Sequence, residues 1–375
     1  MAYLDNASTT KTYDEVASEM MKVLTEDFGN PSSLHKMGRD SKKIVDDSKK
    51  ILAKTINANP DEIIFTSGGT ESINTALMSV CKKLGKRGKH IVASEIEHSA
   101  TINVLKELRD RGFEVDFIKP TKDGNIDVET FKSAIREDTI LASFMLVNNE
   151  IGSVLPIKEL NKALKEKSKF GVFHVDAVQA LCKISIDTRD LGIDLMSFSG
   201  HKIGAPKGMG ALFMKKGTNI PPYIYGGGQQ GGFRSGTENT PAIKGFAKAL
   251  EINKEKYDEE YIQELADYLD EMLISHFEDD NFCYNGVSNV PYIKNFSIPK
   301  VKSEVALRVL ESHGVYVSSG SACSKGKISY VLLNMEINPK IADSSIRVSF
   351  SMDNTKDDID LLIRSLTECV EMFCR

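Results

Sequence analysis

Ile63-Ile64-Phe65-Thr66-Ser67-Gly68-Gly69-Thr70-Glu71-Ser72 passes from a short apolar strand, through two glycines, into the first turn of a helix, and it opens the alternation that decides the fold. From Ile63 to Met214, apolar runs of strand length recur between amphipathic segments. The runs are Ile63 to Thr66, Ile91 to Ser94, Phe113 to Ile118, Ile140 to Val147, Val172 to Val175, Leu195 to Phe198 and Ala211 to Met214. Between the earlier ones, apolar residues fall at helical spacing: Ile73, Leu77, Cys81 and Leu84, then Ile102, Leu105 and Leu108, then Ile157, Leu160 and Leu164. Each stripe would cover a face of a sheet. The expected class is therefore α/β, with a mainly parallel seven-stranded sheet.

Beyond the glycines between 226 and 232 the pattern changes. A long amphipathic helix through Ile262, Leu265, Leu269 and Leu273 leads into strands at Ile293 to Ile298, Val315 to Ser318 and Ile346 to Phe350, with helices at 303–312 and 356–372. This reads as a smaller α+β domain. Across 375 residues, 41% hydrophobic and 27% charged is ordinary globular composition. The net charge of -5 leaves no basic excess to neutralise a phosphate backbone, so direct nucleic-acid binding is not expected. Met1-Ala2-Tyr3-Leu4-Asp5-Asn6 has neither a basic region nor an apolar signal core, and no apolar stretch reaches membrane-span length. A cytoplasmic protein without a membrane partner is expected. Six cysteines without a C-x-x-C pair read mostly as reduced thiols, with Cys81 a small core residue.

The chemistry gathers where strands end. Ser199-Gly200-His201-Lys202 follows an apolar strand and precedes glycines at 204, 208 and 210, placing one lysine in a flexible loop at the sheet edge. Asp176 ends Val172-Phe173-His174-Val175, at the carboxyl edge where α/β proteins bind ligands. An ionised Asp there would keep a pyridine nitrogen protonated, although His174 with Asp176 also leaves a metal open. Gln179, one turn on, could reach a ring hydroxyl. The Gly68-Gly69-Thr70 turn offers backbone N–H groups and a helix N-terminus to a phosphate, and it lacks the lysine of a nucleotide-binding P-loop. His98 lies at the same edge, either stacked on a flat cofactor or as a satisfied structural histidine. Ser318-Ser319-Gly320-Ser321-Ala322-Cys323-Ser324-Lys325-Gly326-Lys327 presents one thiol beside two cations, which favour a nucleophilic thiolate.

Together these residues resemble the cysteine desulfurases of the class V aminotransferase superfamily, within the fold-type I group of pyridoxal-phosphate enzymes. The resemblance runs nearly end to end. It includes Tyr3-Leu4-Asp5-Asn6-Ala7-Ser8-Thr9-Thr10, Phe28-Gly29-Asn30-Pro31-Ser32-Ser33, Thr66 to Ser72, Glu97-His98, Val147-Asn148-Asn149-Glu150-Ile151-Gly152, His174 to Ala177, Ser199 to Lys202, Arg234-Ser235-Gly236-Thr237 and Ser345-Ile346-Arg347. It implies a large cofactor-binding domain over 14–255 and a small domain from 1–13 and 256–375 that carries the nucleophilic cysteine. Pyridoxal 5'-phosphate would be held on Lys202, with His98 on the ring, Asp176 at its nitrogen and Gln179 at its hydroxyl. Gly69, Thr70, Ser199 and His201 would form the phosphate site, completed by Thr237 from the other subunit of a homodimer. Asn149 and Arg347 would bind the substrate carboxylate, and no metal is implied.

The implied reaction strips sulfur from L-cysteine, leaving L-alanine and a persulfide on Cys323 for an iron–sulfur scaffold or a tRNA-thiolation enzyme. The Ser-Ser-Gly-Ser-Ala-Cys block matches the family group that serves those two acceptors. One departure bears on the acceptor: members of that group carry a longer stretch after the cysteine with a Leu-Glu-Pro step, whereas here Ser324 to Ser329 leads straight into Tyr330-Val331-Leu332. A selenocysteine lyase or a class V aminotransferase on the same scaffold is the nearer alternative. A non-catalytic interaction protein is the remote one.

Overall fold

The computed structural model describes residues 1–277, 282–320 and 328–373, so Cys323 lies outside the described residues. In chain order the first elements are β1 (Ala2–Tyr3), α1 (Asp14–Thr25), α2 (Lys36–Thr55), β2 (Ile63–Thr66), α3 (Gly69–Leu84), β3 (His90–Ser94), α4 (Ser99–Asp110), β4 (Glu114–Ile118) and α5 (Val128–Ala134). Then follow β5 (Thr139–Met145), α6 (Ile157–Lys167), β6 (Val172–Asp176), α7 (Thr188–Leu191), β7 (Leu195–Ser199), β8 (Gly210–Met214), α8 (Thr240–Lys256) and α9 (Glu259–His276). The chain continues through β9 (Cys283–Tyr284), β10 (Ile293–Ser297), α10 (Ser303–Ser312), β11 (Val315–Tyr316), α11 (Tyr330–Asn334), α12 (Pro339–Ala342), β12 (Ser345–Ser349) and α13 (Lys356–Phe373).

The seven strand-like runs form one sheet in the order β2-β8-β7-β6-β5-β3-β4, parallel throughout except for β8, which runs antiparallel to both of its neighbours. Helices cover both faces, so every residue of β5 is buried and the strand reads as a continuous apolar run rather than an alternating one. Phe144 packs edge-on to Phe131 at 5.2 Å and stacked on Phe173 at 5.9 Å, tying β5 to β6 and to α5. Strand order reverses between β3 and β5, and a crevice opens beyond the carboxyl ends of the strands at such a reversal. The turns after β2, β3, β5, β6 and β7 all meet there.

A second sheet of β12-β10-β9 is antiparallel, and β1 pairs with β11 in parallel. The same apolar cluster that contains Phe144 and Phe173 runs on to Phe296 and Ile346, so the second sheet joins the core of the first. From β1 the N-terminal segment crosses toward the crevice. It is pinned by Asn6 Nδ2 donating to Ser349 O at 3.1 Å and by Ala7 N–H donating to Ser349 Oγ at 2.8 Å. Among the described residues no helix is long and apolar enough to cross a membrane.

Two expectations need correction. The strand placed at Val315 to Ser318 is only Val315–Tyr316, and it pairs with the N-terminus rather than with β10 or β12. Ser318 instead makes a single bridge to Arg347, which turns the chain toward the crevice. The flexible loop expected around Lys202 is a tight 3₁₀ turn over Gly200–Lys202, closed by Gly200 N–H to Met209 O at 2.8 Å and Ala205 N–H to Gly200 O at 3.1 Å. Gly204, at φ +75, supplies the left-handed residue that this reversal needs, and a Cβ there would meet the Tyr13 ring at 2.4 Å.

Candidate active site

A cleft of about 240 Å³ opens at the crevice. Gly69, Thr70, His98, Asn149, Asp176, Gln179, Ser199, His201, Lys202 and Arg347 line it, so ten of the twelve sequence-derived site residues share one cavity. Thr237 is exposed and stands outside the cleft of its own chain, while Cys323 lies beyond the described residues.

Lys202 reaches in from the 3₁₀ turn, and its Nζ donates to the carbonyls of Ala7 at 2.6 Å and Ser8 at 2.7 Å. Burial, followed by the nearby charges of Arg347 and Lys183, lowers its pKa to about 7. A lysine so placed is a nucleophile at neutral pH. Asp176 sits at the end of β6, where burial raises its carboxyl above the ordinary carboxylate range despite the Val178 N–H at 2.9 Å, His98 and Lys202, which pull it down. His201 is lowered to about 4 by burial and by Lys202, so it is neutral at pH 7, and its Nδ1 lies 3.2 Å from Thr9 Oγ1. His98 caps α4 by accepting from Ala100 N–H at 3.1 Å, and burial lowers its pKa as well.

His174, left open as a metal ligand, has both ring nitrogens engaged, by Ser143 Oγ at 2.9 Å and Ser197 Oγ at 2.8 Å. Total burial lowers its pKa to about 3. It is a neutral structural histidine between β5 and β7, with no nitrogen to spare for a metal.

Two buried polar atoms on the cleft wall, Gln179 Oε1 and Arg347 Nε, have no hydrogen-bond partner among the described residues. Such atoms are costly unless a ligand satisfies them. Gln179 is fixed by its Nε2 donating to Ala7 O at 2.9 Å, which leaves Oε1 to accept from a ligand hydroxyl. Arg347 donates from Nη1 to Asn149 O at 2.8 Å and from Nη2 to Asp5 Oδ1 and Ser8 Oγ, both at 2.7 Å, which leaves Nε for an anion. At the start of α3, a Cβ on Gly69 would come within 2.8 Å of Val178 Cγ2, so only glycine keeps the helix N-terminus open beside Ser199. An acceptor for a hydroxyl, a carboxyl for a ring nitrogen, a helix N-terminus for a phosphate and an amine of lowered pKa are the complement of pyridoxal phosphate, and the site fits that group.

Several contributors carry no mark in their own residue types. The Ala7 and Ser8 carbonyls that hold Lys202 are backbone groups, and the Tyr3 to Thr10 block was a match without an assigned role. Asp5, which aligns Arg347, and the buried Lys183, lowered to about 8 by its burial, were not singled out. Glu150 was not either: its buried carboxyl accepts from Ser329 Oγ at 2.5 Å.

The class V aminotransferase model matches residues 2–362, and the chain belongs to that family. A protein named cysteine desulfurase IscS from Dictyoglomus turgidum is 40% identical over 373 residues, covering 98% of this chain and 94% of the relative. Its namesake from Methanosarcina thermophila is 38% identical, covering 98% of this chain and 92% of its own length. Among solved structures, a NifS-like protein superposes with a TM-score of 0.92 at 34% identity, covering 99% of this chain and 100% of the other. SspA, solved in complex with cysteine, superposes with a TM-score of 0.83 at 31% identity over 93% of this chain and 99% of its own.

Proposed function

We propose that this chain is a cysteine desulfurase that uses pyridoxal 5'-phosphate on Lys202 and takes the sulfur of L-cysteine onto Cys323. The observation that carries this reading is an amine lowered to about 7 in one cavity with Asp176, Gln179 and Arg347. Relatives named cysteine desulfurase match nearly the whole chain, and a solved relative holds cysteine.

When bound, pyridoxal phosphate supplies an electron sink for the pair left at the substrate α-carbon. Asp176 accepts a charge-assisted hydrogen bond from the ring nitrogen and keeps it protonated. Gln179 Oε1 accepts from the ring hydroxyl, and His98 is assigned to the ring face. Gly69, Thr70, Ser199 and His201 take the phosphate. Arg347, held by Asp5, binds the substrate carboxylate with Asn149 and so fixes the α-carbon near Lys202. Lys202 Nζ accepts the α-proton. Cys323 thiolate would attack the substrate sulfur, an S–S bond forming as the C–S bond breaks and its electron pair passes to the β-carbon side. L-Alanine leaves once the β-carbon has gained a proton and the α-carbon has regained one through Lys202.

Residues 14–255 form the cofactor-binding part in this reading, with 1–13 and 256–375 supplying Arg347 and Cys323. The enzyme is a cytoplasmic homodimer that passes its persulfide to an iron–sulfur scaffold or a tRNA-thiolation enzyme. The deciding experiment is Cys323→Ser. It should bind pyridoxal phosphate and cysteine but release neither alanine nor sulfide at a useful rate. Mass spectrometry of the wild type after brief exposure to cysteine should find one added sulfur on the peptide containing Cys323. Wild-type alanine production by Cys323→Ser would hand the site to the selenocysteine lyase or aminotransferase reading.

A further inference from the structure

Glu97 precedes His98 in the turn between β3 and α4, and it is fully buried. Its Oε1 accepts from Ser94 Oγ at 2.5 Å, at the end of β3, and from Met145 N–H at 3.0 Å, at the end of β5. Its Oε2 is buried with no hydrogen-bond partner among the described residues. The same turn is held from outside by Asn148 Nδ2 to Ile96 O at 3.1 Å, Asn334 Nδ2 to Glu95 O at 2.9 Å and the Tyr330 hydroxyl on Glu97 O. The carboxyl thus stitches the turn that carries His98 to the strand beside Asp176, since Met145 and Asp176 are register partners.

We propose that Glu97 is a positioning residue for the reaction, an uncharged acid that braces the His98 wall against β5 and leaves Asp176 the anion of the pair. The proposal rests on the desulfurase reading for the role of His98, but not for the protonation of Glu97.

Two neighbouring buried carboxyls do not both ionise readily, and the one with cationic neighbours keeps the charge. Burial raises Asp176 too, against the pull of the Val178 N–H, His98 and Lys202, but on the desulfurase reading Asp176 gains a cationic ring nitrogen as partner, whereas the charged group acting on Glu97 is Asp176 itself, which opposes ionisation. His98 of its own turn and Tyr330 of α11 are the other titratable groups packed there. An unpartnered O–H on Oε2 costs far less than an unpartnered O⁻ at the same place. Burial, with Asp176, holds this carboxyl at about 8. A mobile charge beneath the ring would compete with Asp176 for the ring nitrogen's proton.

The test compares Glu97→Gln, which keeps shape and acceptor without a proton to lose, with Glu97→Ala. In the holoenzyme, Glu97→Gln should keep kcat/KM for cysteine within about threefold of wild type, and Glu97→Ala should lose about tenfold or more, in keeping with the removal of a positioning contact. The pH midpoint of the bound cofactor's visible absorbance should not move in Glu97→Gln. An ionised Glu97 would raise that midpoint in the wild type, so a fall of about half a unit or more on substitution overturns the proposal.

A second readout is independent of the reaction. Because the folded pKa of about 8 lies above the ordinary glutamate value of 4.5, the folded state binds the extra proton and the wild type loses stability as pH rises between those values. The Tm of Glu97→Gln minus that of wild type should therefore grow from pH 5 to 8 and level off above. A difference that is flat across that range overturns the neutral acid even if Glu97→Ala fails to fold. Full activity in Glu97→Ala overturns the positioning role.

Discussion

Lys202 is held by two carbonyls and lies near the cations of Arg347 and Lys183 as well as the carboxyls of Asp5 and Asp176. Its ammonium would be stabilised by Ala7 O and Ser8 O, yet burial, Arg347 and Lys183 all favour the free amine, and they prevail with a pKa of about 7. Capture of the cofactor aldehyde requires that free amine. The rate at which apoprotein takes up pyridoxal phosphate, followed by visible absorbance, should fall about tenfold per pH unit below about 7 and flatten above it. Lys183→Met removes a like charge, so it should move the break to higher pH. A rate independent of pH from 5.5 to 8.5 would remove the nucleophile from this assignment. At this scale the sequence displayed the functional side chains well, because Lys202, Asp176 and Arg347 sit in short motifs with unusual neighbours. It hid Asp5, whose single hydrogen bond to Arg347 spans nearly the whole chain, and it hid every contact made by a carbonyl.

The elements differed in how plainly they could be read, for physical reasons. Most strands of the large sheet were visible because burial on both faces leaves apolar runs, whereas the half-exposed edge strand β4 showed through the alternation of Phe113, Val115 and Phe117. The helices α1, α2 and α8 were not singled out. Helix α2 buries only Gly38, Ser41, Val45, Ser48, Leu52 and Ala53, a stripe of mostly small residues inside a run of Lys and Asp, and α8 buries residues around much of its circumference because α1 and α2 both pack on it. Strands β1 and β9 escaped because two residues leave no period to detect, and β11 was read two residues too long. Connections carry their own demands, and Gly320 shows how specific they are. It stands at φ +117, and a Cβ there would lie 2.7 Å from the Glu150 Oε2 that holds Ser329. Gly208 has φ +76 with nothing within 4 Å, so it isolates the conformational cost from the clash. Gly208→Ala should cost about 1 kcal/mol, and Gly320→Ala about 2–3 kcal/mol, because its neighbour is a buried carboxyl that cannot move aside freely. Urea midpoints with unchanged slope would measure both. Equal losses in the two variants would mean that Glu150 shifts without penalty and is no fixed anchor for that turn.

At the scale of the whole molecule, one chain assembles a cleft with Gly69, Thr70, Ser199 and His201 at the end proposed for the phosphate, yet the Arg234 to Thr237 block points elsewhere. Arg234 grips Glu71 on α3 through Nε at 2.9 Å and Nη2 at 3.2 Å, which fixes the segment beside the phosphate end, while Thr237 remains exposed and outside the cleft. On the proposed reading, a tethered segment that presents its threonine outward would serve a second copy, and closed two-fold symmetry would make the exchange reciprocal. Subunit mixing tests this more sharply than mass alone. Lys202→Ala destroys the cleft of the chain that carries it, and Thr237→Asp places a negative charge against the phosphate of the neighbouring chain's cleft. Each homodimer should therefore be nearly inactive. In a mixed dimer, the cleft with intact Lys202 belongs to the Thr237→Asp chain and receives an intact Thr237 from the Lys202→Ala chain, so one site is whole. Random re-pairing makes half of the dimers mixed, and desulfuration should recover to about a quarter of the wild-type rate per subunit. Light scattering on the same samples should report dimers throughout. If the mixture stays as inactive as its components while subunit exchange is demonstrated, Thr237 does not complete the partner's site. If an active monomer appears at assay concentration, the shared site is excluded.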